Sequence, residues 1–230
     1  MTLSIILRFV CLIAGYGFGL IQTGVLYGKL KGVDIRNYGS GNSGTTNALR
    51  VLGPKAGLVV FLGDFLKSFI PCLIVNLVFR HIYPETYLLY VLYIGFGAVL
   101  GHNFPFYLGF KGGKGIATTG GTIAGLLNPW MIIILLVLFV ATLAISKYMS
   151  VASIELVSSF WLCYTIFMFI GFLPFDVSNG LTEPAIESLI LATIFAALAI
   201  YRHKENIIRL KNHEENKMSF KKTVKTEEDK

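Results

Sequence analysis

Charge is what this sequence has least of. Only 14% of its 230 residues are Asp, Glu, Lys or Arg, against 54% hydrophobic, and mean hydropathy is +0.67. Soluble domains carry roughly a quarter charged residues, so a soluble globular fold is excluded. Cysteine is scarce too. Cys11, Cys72 and Cys163 each lie inside an apolar run, their number is odd, and none has CxxC spacing. That pattern excludes a disulfide framework and a thiolate metal site. The three are read as small buried hydrophobes. No carboxylate cluster accompanies the glycine-rich segments, so neither a metal nor a cofactor is expected. A nucleic-acid partner is not expected either. The formal net charge of +7 is unevenly spread, with nine basic and six acidic residues in 202–230 and eleven basic and seven acidic elsewhere. This fits basic loops on the inner face of a membrane better than a nucleic-acid footprint.

What the chain has in abundance is long apolar runs. Spans are expected at 3–27, 56–79, 83–100, 115–127, 129–145, 150–173 and 184–201, several of them long enough for a hydrocarbon core of about 30 Å. The first run exceeds a signal-peptide core of roughly 7–15 residues and ends in no A-x-A-like site, so it is read as a retained span. The fourth is short and glycine-rich, and whether it is continuous, broken or re-entrant stays open. Charge parity favours a crossing. Seven crossings place Lys29, Lys31, Arg36, Arg50, Lys55, Lys111, Lys114, Lys147 and the basic tail on the inner face. The expected fold class is therefore an all-α integral membrane protein with seven transmembrane helices, N-terminus outside and C-terminus cytoplasmic. Residues 1–211 form the membrane domain, and 212–230 a polar tail expected to be disordered or to lie on the lipid surface.

The loops rich in Gly, Ser, Asn, His and Lys all fall on that inner face. Residues 39–50 read G-S-G-N-S-G-T-T-N-A-L-R. Gly39, Gly41 and Gly44 let backbone N–H groups turn toward an anion, Ser40, Asn42 and Asn47 add polar groups, and Arg50 adds a planar fork. The bland alternative is a flexible loop. GxGxxG is present in letters, but no strand precedes it. A second segment, 101–119, holds His102 and then Gly112, Gly113, Lys114 and Gly115 at the mouth of the fourth span, where a helix dipole and a cation favour an anion. It is not a Walker A loop, because Gly follows Lys114 and no Gly stands six residues before it. His102 can be read as an acid or base, or as a plain hydrogen-bonding residue. Ser150 and Ser153 share a helix face, as ligand contacts or as a cap with a packing residue. Glu155, inside the sixth span, is read as a structural partner. Asp64 and Lys67, at i,i+3 in the second span, suit a structural ion pair or a charge that sets the potential of the site. His203 and Asn206 repeat the three-residue spacing at the inner end of the seventh span.

With these motifs in order, the sequence closely resembles the PlsY family of bacterial integral-membrane acyl-phosphate:glycerol-3-phosphate acyltransferases, over about residues 3–211. Residues 39–50 fill G-S-G-N-x-G-x-T-N-x-x-R, with Ser43 where Pro is common and Thr45 where Ala is common. Residues 101–118 fill G-H-x-F-P…F-K-G-G-K-G-x-A-T, and the segment from Ser150, the Asp64-x-x-Lys67 pair and His203-x-x-Asn206 also match. The resemblance implies a seven-helix enzyme of the bacterial plasma membrane with its site facing the cytoplasm. It implies acyl transfer from acyl-phosphate to glycerol 3-phosphate, giving lysophosphatidic acid and phosphate, with acyl-CoA not the donor. Soluble-headed acyltransferases use H-x-x-x-x-D, and none of the four His here (81, 102, 203, 213) has Asp five residues on.

On this resemblance Ser40, Arg50, His102 and Lys114 are the expected catalytic residues, with His102 handling the proton unless a substrate phosphate oxygen takes it. Gly39, Gly41, Asn42, Gly44, Asn47, Gly112, Gly113, Gly115, Ser150, Ser153, His203 and Asn206 are expected to bind substrate. The N–H groups of 112–115 are expected on phosphate or oxyanion. Membrane lipid and a soluble enzyme that produces acyl-phosphate are the expected partners. The competing class is a transporter of phosphorylated anions, which also uses glycine-interrupted helices. Against it stands the one-sided placement of the polar motifs.

Overall fold

A computed structural model of the chain describes residues 2–218. Most of the expected tail, residues 219–230, lies outside the described residues. Regular structure among the described residues is entirely helical. The first apolar run is not one helix but two, α1 (Thr2–Gly19) and α2 (Thr23–Leu30), separated by a break at Leu20–Gln22. A loop containing a 3-10 turn leads to the short α3 (Thr45–Leu52). Gly53 (φ 90°) caps it and turns the chain into α4 (Pro54–Ile82), with Pro54 in the first turn, where its missing N–H costs nothing. Then follow α5 (Tyr87–Asn103), α6 (Ile116–Gly125), α7 (Pro129–Ser146), α8 (Met149–Phe169), α9 (Glu183–Arg202) and α10 (Lys204–Lys211).

Six segments of the described chain are long and apolar enough to cross a membrane: Leu3–Leu30, Pro54–Ile82, Tyr87–Leu108, Pro129–Ser146, Met149–Phe169 and Glu183–Arg202. The expected span at 115–127 is instead the ten-residue α6, about 15 Å long, half the depth of a hydrocarbon core. It runs beside α4. Gly121 lies so close that a Cβ there would sit 2.2 Å from the Phe65 carbonyl oxygen. Ser68 and Thr122 hydroxyls meet at 2.8 Å. At its far end the last carbonyls, which a short helix leaves exposed, accept from Asn76 Nδ2 (Gly125 at 3.1 Å, Leu126 at 3.2 Å). Asn128 then caps α7 by accepting from the Met131 N–H, and donates to the Phe172 carbonyl just past the far end of α8.

The most extensive helix contact is between α1 and α5. Gly15 and Gly19 on one, Gly97 and Gly101 on the other, bring backbone against backbone: a Cβ at Gly97 would lie 2.1 Å from the Leu12 carbonyl oxygen. Small residues four apart are the usual means of close approach between membrane helices, where water supplies no driving force. Two charges inside apolar helices also find each other, Arg8 of α1 and Glu187 of α9 at 3.1 Å, with Tyr93 donating to the same carboxylate. The main core gathers at Tyr90, Phe160, Tyr164 and Phe195 between α5, α8 and α9. A smaller one (Ile35, Ala48, Val51, Ala56, Val60) seats the loop before α3.

Residues 212–218 do not stand apart as the sequence leads one to expect. After α10 the chain reverses at His213 (φ 60°), the Glu214 N–H bonds to the Arg209 carbonyl (2.8 Å), and the Met218 N–H reaches the Lys147 carbonyl between α7 and α8 (2.8 Å).

Candidate active site

The end of α5, His203 at the end of α9, the starts of α3, α6 and α8, the first half of α4, and α7 and α10 meet around one cavity of about 480 Å³. Its polar end is lined by Ser40, Asn42, Arg50, Asp64, His102, Lys114, Ser150, His203 and Asn206, brought from separate parts of the chain. From there it continues as an apolar cleft between α4 (Phe61, Phe65), α6 (Ile123), α7 (Leu135, Leu136, Phe139) and α8 (Leu156). Phe61 and Leu136 are also exposed on the outer apolar surface, 41% and 58% accessible, so the cleft reaches the lipid-facing side.

Asn47 builds the loop at the mouth. Fully buried, it accepts the Ser40 N–H (2.8 Å) and hydroxyl (3.2 Å) and donates to the carbonyls of Ile35 (2.8 Å) and Tyr38 (3.1 Å). Its amide is spent on the loop, so the structure makes it a support for Ser40 rather than the substrate contact the sequence suggests. Gly39 has a left-handed backbone (φ 61°), and a Cβ there would sit 2.4 Å from that amide oxygen, so a side chain would displace the Asn47 amide. Neither Gly39 nor Gly41 lines the cavity, whereas Gly44 does. Asn42 accepts the Gly44 N–H (2.9 Å), and Ser43 donates to Gln22 (3.3 Å), tying the loop to the break in the first span. Replacing Asn47 by Ala is expected to leave the Ser40 N–H unpaired, at about 1–3 kcal/mol, while the Ile35 and Tyr38 carbonyls each lose one of two donors and keep the Tyr38 and Gly41 N–H groups. A fall in melting temperature on thermal unfolding in detergent checks this.

The Gly112–Gly113 loop also departs from expectation. Its N–H groups donate to the carbonyls of Asn103 and His102 (3.1 Å each), and its carbonyls accept from Arg202 Nη2 (3.1 and 2.9 Å). These two glycines are structural: a Cβ on Gly113 would fall 2.0 Å from His102 Nε2. Lys114, Gly115 and the first turn of α6 do face the cavity, presenting a cation and the positive end of a helix. Lys114 donates to Asn206 Oδ1. Burial pulls its ammonium down from the usual lysine range to about 8, with Arg209 pushing the same way.

His102 is buried at the centre of a charged relay. Lys67 Nζ donates to Asp64 Oδ1 (2.9 Å), to the Ile21 carbonyl freed by the helix break (2.6 Å), and to His102 Nδ1 (2.7 Å). An ammonium can only donate, so Nδ1 accepts and the ring proton sits on Nε2. A ring in that state has no lone pair left to take a substrate proton. The expected proton-handling role does not fit this geometry.

His203 has the opposite arrangement. Its Nδ1 lies 2.7 Å from the Ala199 carbonyl, so Nδ1 carries the proton and Nε2 is an acceptor. Burial holds it down near 4, neutral at ordinary pH. Ser153 spends its hydroxyl on the Met149 carbonyl (2.7 Å). Ser150 Oγ, also buried and on the cavity wall, finds no partner among the described residues. A buried hydroxyl with no protein partner at a cavity wall suits a ligand oxygen.

Two residues escaped sequence reasoning. Arg209 lines the cavity and pairs with Glu215 (2.8 Å); the signal was its place three residues beyond Asn206, extending the His203–Asn206 face. Arg202 holds the Gly112–Gly113 loop and lies over the Phe104 ring at 5.2 Å, and looked only like an ordinary cation at a helix end.

Residues 9–213 match the family model described as glycerol-3-phosphate acyltransferase. A glycerol-3-phosphate acyltransferase of Chlorobium phaeobacteroides is 39% identical over 225 residues, covering 89% of this chain and 94% of that protein. One from Fusobacterium nucleatum is 41% identical over 216 residues, covering 93% and 100%. Two crystal structures of PlsY (YgiH), an integral membrane glycerol 3-phosphate acyltransferase, are similar in fold. The glycerol 3-phosphate form has TM-score 0.76 at 36% identity, covering 92% of this chain and 96% of that one. The lysophosphatidic acid form has TM-score 0.74 at 35% identity, covering 93% and 96%. With a polar pocket joined to an apolar cleft in an all-helical membrane fold, the chain belongs to the PlsY family of glycerol-3-phosphate acyltransferases, as a multi-pass membrane acyltransferase.

Proposed function

We propose that the chain transfers a fatty acyl group from acyl-phosphate to the 1-hydroxyl of sn-glycerol 3-phosphate, releasing phosphate and lysophosphatidic acid. One observation carries this reading: a single cavity runs from a pocket with three cations, Arg50, Lys114 and Arg209, into a cleft walled by Phe and Leu side chains. Phosphate suits the first part and an acyl chain the second. Acyl-phosphate arrives activated, so the protein has to hold two phosphates close together and steady the charge that forms on the carbonyl oxygen. Ser40, Arg50 and Lys114 serve the donor phosphate and that oxyanion. Ser150, His203 and Asn206 serve glycerol phosphate, His203 through Nε2. With His102 turned to Lys67, the hydroxyl proton passes to a phosphate oxygen of the donor and no side-chain base is required.

The topology proposed is seven crossings, with the site on the cytoplasmic face of the bacterial plasma membrane and residues 1–211 acting as one membrane unit. Its support is the course of α6, which starts beside His102 and ends beside Asn76, with α7 then beginning past the far end of α8. A reporter fused after Lys230 that reads on the outside would overturn it. A soluble supplier of acyl-phosphate remains the proposed partner.

Protein purified in detergent, given palmitoyl-phosphate and glycerol 3-phosphate, is expected to release phosphate and form lysophosphatidic acid. Palmitoyl-CoA should not replace the donor. Failure to form product from palmitoyl-phosphate rejects the reading.

A pH dependence follows from Lys114. Its value near 8 lies below that of a free lysine, so the ammonium is charged below pH 8 and lost above it. kcat/KM is expected to be level below pH 8 on this account and to fall about tenfold per unit above it. Lys114→Arg should remove that fall between pH 8 and 10. A wild-type profile flat to pH 10 contradicts the role given to Lys114.

A further inference from the structure

We infer that residues 213–218 form a built-in competitor for the phosphate pocket, with Glu215 seated where substrate phosphate must go; this rests on the acyltransferase reading. Glu215 is almost buried, its side chain 7% exposed, and it lines the cavity. One carboxylate oxygen accepts from Asn206 Nδ2 (2.9 Å) and the other from Arg209 Nε (2.8 Å). Asn206 in turn accepts from Lys114. The carboxylate thus draws on the donors and the positive field that a phosphate dianion needs, and two anions cannot share them.

The strap is lightly held. Of residues 212–218 only Glu215 and Met218 are even partly buried. Beyond the Glu215 contacts, His213 N–H bonds to Leu210, Glu214 N–H to Arg209 and Met218 N–H to Lys147, and Lys217 lies over Tyr148 at 6.0 Å. Few buried apolar contacts mark a segment that opens locally at low cost. Glu215 also lies past residue 213, where the match to the family model ends. The protein therefore exchanges between a seated state, which excludes glycerol phosphate, and an open state that binds it. The apparent KM is the intrinsic one divided by the open fraction.

Steady-state kinetics of Glu215→Ala and Glu215→Gln test this. Each is expected to lower the KM for glycerol 3-phosphate roughly three- to tenfold, as for a competing state populated most of the time, with kcat within about twofold. An unchanged KM overturns the inference. A raised KM also overturns it, showing that Glu215 positions Asn206 and Arg209 for substrate.

A second measurement does not depend on turnover. Met218→Cys is labelled with a membrane-impermeant maleimide; the native cysteines are buried. Saturating glycerol 3-phosphate, and separately inorganic phosphate, should speed labelling several-fold. Labelling that is unchanged or slowed means the strap stays seated over bound anion, and rejects it. If the unaltered protein forms no product at all, the acyltransferase reading fails while the labelling with inorganic phosphate still decides the strap.

Discussion

Lys114→Met is expected to lower kcat/KM for palmitoyl transfer about 10²–10³-fold, the usual loss when one preorganised charge donor is removed from a reacting centre. Met keeps the length and apolar stem, so the packing of the 112–115 loop, fixed by Arg202 and by His102, should persist. The melting temperature in detergent should stay level or rise slightly, because the buried ammonium carries a desolvation cost. Lys114→Arg should be intermediate, keeping charge but not the single-point donor geometry toward Asn206. If Lys114→Met retains full kcat/KM, the pocket assignment fails and the membership of the family is untouched.

Lys67→Met is expected to be the most destabilising single change, at about 3–5 kcal/mol, the loss when one partner of a buried pair is removed. Both side chains of the Asp64–Lys67 pair are 2% exposed. Removing the ammonium strands the Asp64 carboxylate, the Ile21 carbonyl and the lone pair of His102 at once. The double change Asp64→Asn with Lys67→Met should recover part of the stability, since the stranded charge is gone. Activity should not recover with it, because His102 still lacks its donor. Thermal unfolding in detergent beside kinetics checks both statements. Equal melting temperatures for the single and double variants would argue against the pair as the source of the loss.

Most of the membrane architecture was legible because a bilayer imposes long apolar runs and buried charges must pair. Asp64 and Lys67 share one helix, so their spacing of three already put them together. His102 as the third member was not legible: periodicity within one helix says nothing about which residue of another faces it. The break at Leu20–Gln22 was hidden inside a continuous apolar run, with Gln22 its single polar sign. That glutamine donates to the Gly101 (3.3 Å) and His102 (3.0 Å) carbonyls, so the break is a contact with α5 rather than a local preference. The glycine loops were located by composition, but composition cannot tell a residue that meets a ligand from one that holds the loop. Asn47, Gly112 and Gly113 fall in the second group because their polar groups are already used within the protein. Residues 212–218 looked like tail because they lack apolar periodicity, yet a carboxylate needs only two donors to dock.

The exposed edges of the apolar cleft at Phe61 and Leu136 have a consequence for how the proposed reaction must be assayed. A donor that enters between α4 and α7 comes from the plane of the bilayer, and its chain, at about 0.8 kcal/mol per methylene, stays out of water throughout. The concentration that governs its capture is then a surface density, molecules per unit of lipid area. Diluting such a membrane with inert lipid at constant total donor should slow the reaction, while diluting the suspension with buffer should not change turnover per enzyme. For the glycerol phosphate side, which meets the aqueous end of the same cavity, the rule is ordinary molarity, so one enzyme obeys a two-dimensional law for one substrate and a three-dimensional law for the other.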